Sequence, residues 1–324
     1  MLPRFDLGVR PTPLVRAHRL EDALGTGPVL LKRDDLIGFA GAGNKARPLE
    51  LIVGAALEEG ADTLVTGGSA GSNFVHAAAC AARVAGLAAE LLIAGPTPLP
   101  AAPGLALAAA AGARIIATGG PREQVDAAIA ERAEVLRAAG RRPMAVPRGG
   151  STPLGAVGFA LAVAEVAAQL DALDVAPALV VIALGSGGTT AGLLAGLAAN
   201  RLSWPVLTVS VSRPVEAITA KVLTLAQQCA DLLGAGPIDP GLLEVVDARD
   251  PAHGGTRGPA TEAITLGLAT EGLLLDPVYS GPAFGEAVHR ARAGLDGPLL
   301  FWHTGGLLPA VAALADTPHK EYAA

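Results

Sequence analysis

Only four lysines, Lys32, Lys45, Lys221 and Lys320, occur among the 24 basic residues of this 324-residue chain; arginine carries the rest of the positive charge. Lys45 closes a glycine-bearing turn, Gly41-Ala42-Gly43-Asn44-Lys45, just ahead of an apolar run with helical spacing. An amine at the start of a helix lies at the positive end of the backbone dipole, which lowers its pKa and frees its lone pair. That is the state an amine needs to form a Schiff base with a carbonyl compound. The other three have blander settings. Lys32 lies in Lys32-Arg33-Asp34-Asp35 and reads as a charge-paired strand end, Lys221 lies in a helical run, and Lys320 lies in the polar tail.

A second set of residues could hold phosphate. Gly185-Ser186-Gly187-Gly188-Thr189-Thr190 follows the apolar run Leu179–Leu184 and opens a helical pattern. Backbone N–H groups, a pair of hydroxyls and a helix dipole make such a turn a phosphate cradle. It is not a Walker loop, because no Gly-Lys-Ser/Thr follows, and Thr190 stands where a dinucleotide fingerprint has its third glycine. A phosphate monoester therefore fits better than ATP or NAD. Gly67–Ser72, Gly149-Gly150-Ser151 and Gly305-Gly306 are further turns between a predicted strand and a predicted helix. Singly, each is what any tight β–α turn uses; as a set they point to one ligand site at the carboxyl ends of strands. The six histidines show no HExxH or paired metal spacing, and no Gly-x-Ser-x-Gly elbow embeds a plausible triad, so metal and serine-hydrolase chemistry are set aside.

Such turns need strands and helices behind them. The pattern predicts strands at Val29–Lys32, Thr63–Thr66, Ala89–Ile93, Arg114–Ala117, Met144–Val146, Leu179–Ala183, Val206–Val211 and Leu299–Trp302. Helices are predicted at Lys45–Glu58, Asn73–Ala85, Arg122–Ala139, Leu154–Leu170, Thr189–Ala199 and Phe284–Ala293. Their alternation predicts an α/β fold with parallel sheets. The length exceeds one ordinary core, so two lobes are expected. The apolar half of the chain is rich in Ala, Leu and Val and poor in aromatics, which suits helices packed on buried parallel strands.

A net charge of −6 without a basic run argues against nucleic acid as a partner. The N-terminal MLPRFDLGVRPTP has no apolar h-region, so no secretory leader is expected. No membrane span is expected either; Ala156–Leu170, the nearest candidate, is interrupted by Glu165. Cys80 and Cys229 fall in helical patterns and are expected as a reduced, buried pair, in keeping with a cytoplasmic protein.

Taken together, these segments resemble the D-cysteine desulfhydrase / 1-aminocyclopropane-1-carboxylate (ACC) deaminase family of fold-type-II pyridoxal 5'-phosphate (PLP) enzymes. The matching stretches are Pro11–Leu14, Leu31–Asp35, Gly43-Asn44-Lys45, Gly67–Asn73, Gly149–Gly158, Gly185–Gly192, Glu271–Gly281 and His303–Gly306, nearly the whole chain in the family's order. The resemblance implies two parallel-sheet lobes with PLP in the cleft, residues 1–47 and 155–324 forming the larger domain and 48–154 the smaller, in a homodimer. It implies that Lys45 carries the cofactor as a Schiff base and later shuttles the Cα proton. Asn73 would hydrogen-bond the phenolic oxygen, and Ser186, Gly187, Gly188 and Thr189 would hold the phosphate. Ser72 would touch the substrate carboxylate or take part in proton transfer, Tyr279 would face the substrate, and Thr304 would partner the pyridine nitrogen.

The implied reaction is α,β-elimination from a small amino acid such as D-cysteine or a β-substituted alanine, giving a 2-oxo acid and ammonia. A neutral hydroxyl at the pyridine nitrogen moderates the electron sink, which suits prompt departure of a β-substituent. The alternative within the family is ACC ring opening to 2-oxobutanoate. Enzymes of that kind carry Glu directly after the active-site Tyr, where this chain has Ser280, which favours the desulfhydrase side. A second departure is Gly255-Thr256-Arg257-Gly258-Pro259, where Arg257 replaces a tyrosine the family draws into its site. An arginine there would either recognise a second anion through its planar fork or point to solvent. From other classes, a non-catalytic binder of PLP or another phosphate ligand competes, as does, less well, a dinucleotide-dependent oxidoreductase.

Overall fold

The computed structural model describes residues 2–249 and 258–315; Arg257 and Tyr322 lie outside the described residues. The first elements are β1 (Leu14–Arg16), α1 (His18–Leu24), β2 (Val29–Arg33) and α2 (Ala46–Glu58). There follow β3 (Thr63–Gly68), α3 (Asn73–Val84), β4 (Ala88–Ile93), α4 (Pro103–Ala110), β5 (Arg114–Ala117), α5 (Val125–Ala138) and β6 (Pro143–Ala145). Next come α6 (Pro153–Asp171), β7 (Leu179–Leu184), α7 (Gly188–Asn200), β8 (Val206–Ser210), α8 (Val215–Leu232) and β9 (Leu243–Asp247). The last are α9 (Gly258–Glu271), α10 (Ser280–Ala293), β10 (Leu299–His303) and α11 (Leu307–Ala315).

Two sheets result, as the alternating pattern predicts. One has the order β1-β2-β10-β7-β8-β9 and is parallel except for β1, which pairs antiparallel with β2. The other, β5-β4-β3-β6, is wholly parallel. Successive side chains of a strand point to opposite faces. Val180, Ile182, Leu300 and Trp302 therefore pack on one side against Val163 and Val166 of α6, Leu193 of α7 and Val222 of α8. Val181, Leu299 and Phe301 face the other way, onto Leu20 of α1 and Phe284 and Val288 of α10. In the smaller sheet Leu91 and Ile93 meet Val75 and Leu105, while Val65 and Leu92 meet Val125 and Ile129. Each such Leu, Ile or Val contributes roughly 1.5–3 kcal/mol by leaving water. Helix α2 belongs to both halves: Leu49, Ile52 and Val53 join the core under the smaller sheet, and Leu51 packs on Ala156 and Val157 of α6.

Two sequence expectations, those for Lys32 and for the cysteine pair, need correction. Helix α6 is, by length and composition, apolar enough to cross a bilayer. Its buried residues lie against α7, however, and Glu165 points into a buried ionic cluster, so α6 is a core helix. Lys32 is not a strand-end charge paired to its neighbours. It is fully buried, with Nζ donating to Glu165 Oε1, Gln169 Oε1 (2.7 Å) and the Thr12 carbonyl (2.8 Å). Arg47 completes the cluster, reaching both oxygens of Asp34 (2.8 and 2.7 Å) and both of Glu165 (3.1 Å each). The cysteines are free, but only Cys229 is buried; Cys80 is half-buried.

Candidate active site

Lys45 ends a 3-10 turn, Gly43–Lys45, that runs directly into α2. Gly43 is left-handed (φ +54°), and a Cβ there would lie 2.3 Å from the Thr304 carbonyl oxygen, so only glycine lets the two segments touch. The contact is sealed by the Asn44 N–H donating to that same carbonyl at 2.8 Å. The Asn44 side chain donates to Thr189 Oγ1 at 3.2 Å. Two residues on, the buried Arg47–Asp34–Glu165 cluster clamps the first turn of α2. The lysine turn is thereby tied to β10, to α7 and to the core. Its amine has no ion-pair partner among the described residues, and desolvation lowers its pKa to about 8.

The turns that follow β3, β7 and β10 converge on this amine. Lys45, Ser72, Asn73, Ser186, Gly187, Thr189, Tyr279 and Thr304 all line one cleft. It encloses about 800 Å³, part of it open to solvent, a size that suits a cofactor or small ligand. Gly188 does not line it; this residue starts α7 just behind, where a Cβ would lie 3.0 Å from Ser151 Oγ. Ser72 caps α3 in an extended conformation, so α3 aims its free N–H groups at the cleft as α7 does. The Ser186 and Ser151 hydroxyls meet at 2.7 Å, and a Cβ on Gly149 would lie 2.3 Å from Ser186 Oγ. Thr190, next to Thr189, also lines the cleft with a buried hydroxyl that has no partner among the described residues.

Tyr279 is presented by a turn that the sequence does not reveal as such. Buried Asp276 accepts from the N–H groups of Val278 (3.0 Å), Tyr279 (2.7 Å) and Ser280 (3.0 Å) and from the Ser280 hydroxyl (2.6 Å). With its lone pairs so engaged, the carboxylate serves to hold the turn, and the Tyr279 ring lies over Gly185. Ser280, which the sequence marks only as a departure from the ACC-type pattern, is the residue that closes this staple. Arg122 and Arg148 also line the cleft and carry no motif that would have found them.

The family profile described as "Pyridoxal-phosphate dependent enzyme" matches residues 5–305. The chain belongs to that family. It is 38% identical over 317 residues to a protein named D-cysteine desulfhydrase from Yersinia enterocolitica, covering 94% of each chain. The solved structure of an ACC deaminase homologue matches with a TM-score of 0.86 and 34% identity over 95% of this chain and 93% of that one. An L-serine ammonia-lyase from Rhizomucor miehei matches with a TM-score of 0.69 at 22% identity, over 96% and 98% of the two chains, and shares the fold. The enzyme is thus of fold type II, with PLP as cofactor.

The cleft fits that group. PLP needs an amine, a phosphate site and a partner for its ring nitrogen. The unpaired Lys45 amine meets the first need. The α7 turn, with an orphaned buried Thr190 hydroxyl and a Gly149 cradle that any Cβ would fill, suits the second. Thr304, in the cleft on the side of Lys45, offers a neutral hydroxyl for the third.

Proposed function

We propose that this chain catalyses α,β-elimination from a small amino acid, such as D-cysteine or another β-substituted alanine, releasing a 2-oxo acid and ammonia. The observation that carries the reading is an amine with a lowered pKa, unpaired, in one cleft with a phosphate cradle and a neutral ring-nitrogen partner. When bound, PLP supplies the electron sink that makes the Cα–H bond acidic. Lys45 would hold the cofactor through Nζ, and the same amine would take the Cα proton. Ser72, at the start of α3, orients the substrate carboxylate, and Asn73 hydrogen-bonds the cofactor's phenolic oxygen. Ser186, Gly187 and Thr189 would hold the phosphate, with Gly188 just behind them at the start of α7, and Thr304 would partner the ring nitrogen. Tyr279, fixed by the Asp276–Ser280 staple, covers the substrate side. Relatives of the two named kinds support this assignment.

ACC ring opening to 2-oxobutanoate is the second reading, favoured by the likeness to the 34%-identical ACC deaminase homologue. Ser280 argues against it: its hydroxyl is spent on Asp276, where ACC-type enzymes carry a carboxylate. Comparing kcat/KM for D-cysteine, β-chloro-D-alanine and ACC tests the order, since that ratio reports differential transition-state binding. Elimination is expected to exceed ring opening, and an ACC preference would reverse the assignment. Bound PLP without turnover of any amino acid would instead support a non-catalytic binder. We also assign residues 1–47 and 155–324 to a larger domain and 48–154 to a smaller one, in a cytoplasmic homodimer. The membership of β3 to β6 in one sheet supports the division, although its first boundary falls inside α2.

A further inference from the structure

One wall of the cleft carries more positive charge than this reaction requires. Arg122, at the turn into α5, and Arg148, just before Gly149, both line it. Arg148 is bound to Asp126: its backbone N–H reaches Oδ1 at 3.0 Å, and its guanidinium reaches Oδ2 at 3.0 and 2.8 Å. Arg122 makes no ion pair among the described residues. Arg213, just ahead of α8, and Lys221, on α8 beside Ser151 and Thr152, are likewise unpaired among the described residues. Burial first, then Arg213, Arg148 and Arg122, hold Lys221 below its ordinary pKa; burial, then Arg148 and Arg122, do the same to Arg213. These four cations therefore share one field, and the carboxylates that oppose it are Asp126 and Glu123.

Both anions of the proposed reaction have other donors in this reading. The cofactor's phosphate has the α7 turn, and the substrate's α-carboxylate has the turn at Ser72. Resting on the elimination reading, we infer that the substrate's β-substituent is itself an oxyanion, a sulfonate or a phosphate, held by Arg122 and Arg148. Guanidinium forks match the paired oxygens of such groups. The chemistry needs no further reagent. The Cα–H bond breaks with its proton passing to Lys45, and the bond to the substituent breaks with both electrons leaving on sulfite or phosphate. Water then converts the remaining enamine to pyruvate and ammonium, so 3-sulfoalanine and water give pyruvate, ammonium and bisulfite. Negative charge gathers on the departing group, so nearby guanidinium groups stabilise the transition state more than the ground state.

The test uses the holoenzyme and its Arg122→Gln, Arg148→Gln and doubly substituted forms. Release of 2-oxo acid is measured from both enantiomers of 3-sulfoalanine and O-phosphoserine, beside those of cysteine and β-chloroalanine. Calorimetry follows 3-sulfopropanoate, which has no amine and cannot react, against butanoate. We expect kcat/KM to favour an oxyanion substrate, and each substitution to cut that value about tenfold more than the value for neutral substrates, the worth of one lost charged hydrogen bond. Tighter binding of 3-sulfopropanoate than of butanoate should vanish in the double variant, with cofactor absorbance retained. Neutral substrates favoured and slowed equally by the substitutions would overturn the inference. Loss of cofactor in the variants would overturn it too, by assigning the arginines to the cofactor's phosphate. If no amino acid yields a 2-oxo acid, the elimination reading fails, and the 3-sulfopropanoate titration decides the oxyanion site on its own.

Discussion

Lys32 and Lys45 flank the same stretch of chain, and burial lowers the pKa of both. Their surroundings differ in what replaces the lost water. Around Lys32, Glu165, Gln169 and the Thr12 carbonyl take the three ammonium protons, so the charge is kept and the lone pair is never free. Around Lys45 no carboxylate offsets the desolvation, and the amine opens onto a cleft. Burial with partners makes a lysine a strut; burial without them makes it a nucleophile. The two sites are also coupled. Arg47 shares Glu165 with Lys32 and sits two residues past Lys45, so the ionic cluster holds the start of α2 and, through it, the reactive amine.

The sharpest way to break this contrast is to remove each amine in turn. Lys45→Ala should lower 2-oxo-acid release by at least about a thousandfold, within the range for losing a positioned acid–base group. It should also abolish the borohydride-trapped cofactor adduct on its peptide without destabilising the cofactor-free protein. Mass spectrometry that finds the adduct on Lys32 or Lys221 instead would reverse the roles. Lys32→Met should do the opposite. It breaks a buried ion pair, a loss of roughly 3–5 kcal/mol in typical cases, here about 3 because Arg47 still neutralises Glu165. Urea midpoints should fall accordingly, with the adduct still on Lys45.

The two sites should also separate by pH. Glu165 is held at about 2 because Arg47 and Lys32 outweigh its desolvation. Unfolded, it takes a proton near 4.5, so its stabilisation is complete above that pH and is lost as pH falls toward 2. Lys45 works at the other end. In the cofactor-free protein it gives up its proton near pH 8, whereas the unfolded chain keeps it to about 10.5. The penalty it imposes is therefore full below pH 8 and fades as pH rises through that window. Tm differences between wild type and Glu165→Gln should shrink in acid, and those between wild type and Lys45→Met should change between pH 8 and 10.5. A flat difference in the alkaline window would mean that the Lys45 amine is solvated.

Much of this contrast is legible in the residues. Gly43-Asn44-Lys45, the Gly185–Thr190 turn and the position of Thr304 point to one ligand site, because glycine turns after buried strands leave few places to go. The predicted strands match the observed ones to within a residue or two, since apolar runs in parallel sheets carry a strong signal. The edge strands β1 and β9 escape the pattern because half their residues meet solvent, and α4 escapes it because its alanine-rich sequence has no polar face. Lys32 reads wrongly from its neighbours because its true partners, Thr12, Glu165 and Gln169, are far away in sequence. Arg122 and Arg148 are invisible for a related reason: only the fold brings two unrelated loops to one wall. Arg257, which the sequence singles out, lies outside the described residues.

The smallest expected effect tests the same rule on two hydroxyls. Thr189 and Thr190 are adjacent in the first turn of α7, and both line the cleft. Thr189 Oγ1 accepts from Asn44, as Lys32 is satisfied by its neighbours, whereas the buried Thr190 Oγ1, like the Lys45 amine, has no partner among the described residues. A buried hydroxyl left unmade costs about 1–3 kcal/mol, and a valine of nearly the same shape removes that cost. Thr190→Val should therefore leave the Tm of cofactor-free protein unchanged or slightly higher. The same substitution should weaken PLP retention about tenfold, because a hydrogen bond to a charged group is worth roughly 1.5–3 kcal/mol. Thr189→Ala should lower both quantities, since its hydroxyl also anchors Asn44 and the Lys45 turn. Equilibrium dialysis of PLP alongside thermal melts separates the cases. A Thr190→Val protein that is more stable and binds PLP as before would show that the orphaned hydroxyl is a packing defect and that the phosphate lies elsewhere along the turn.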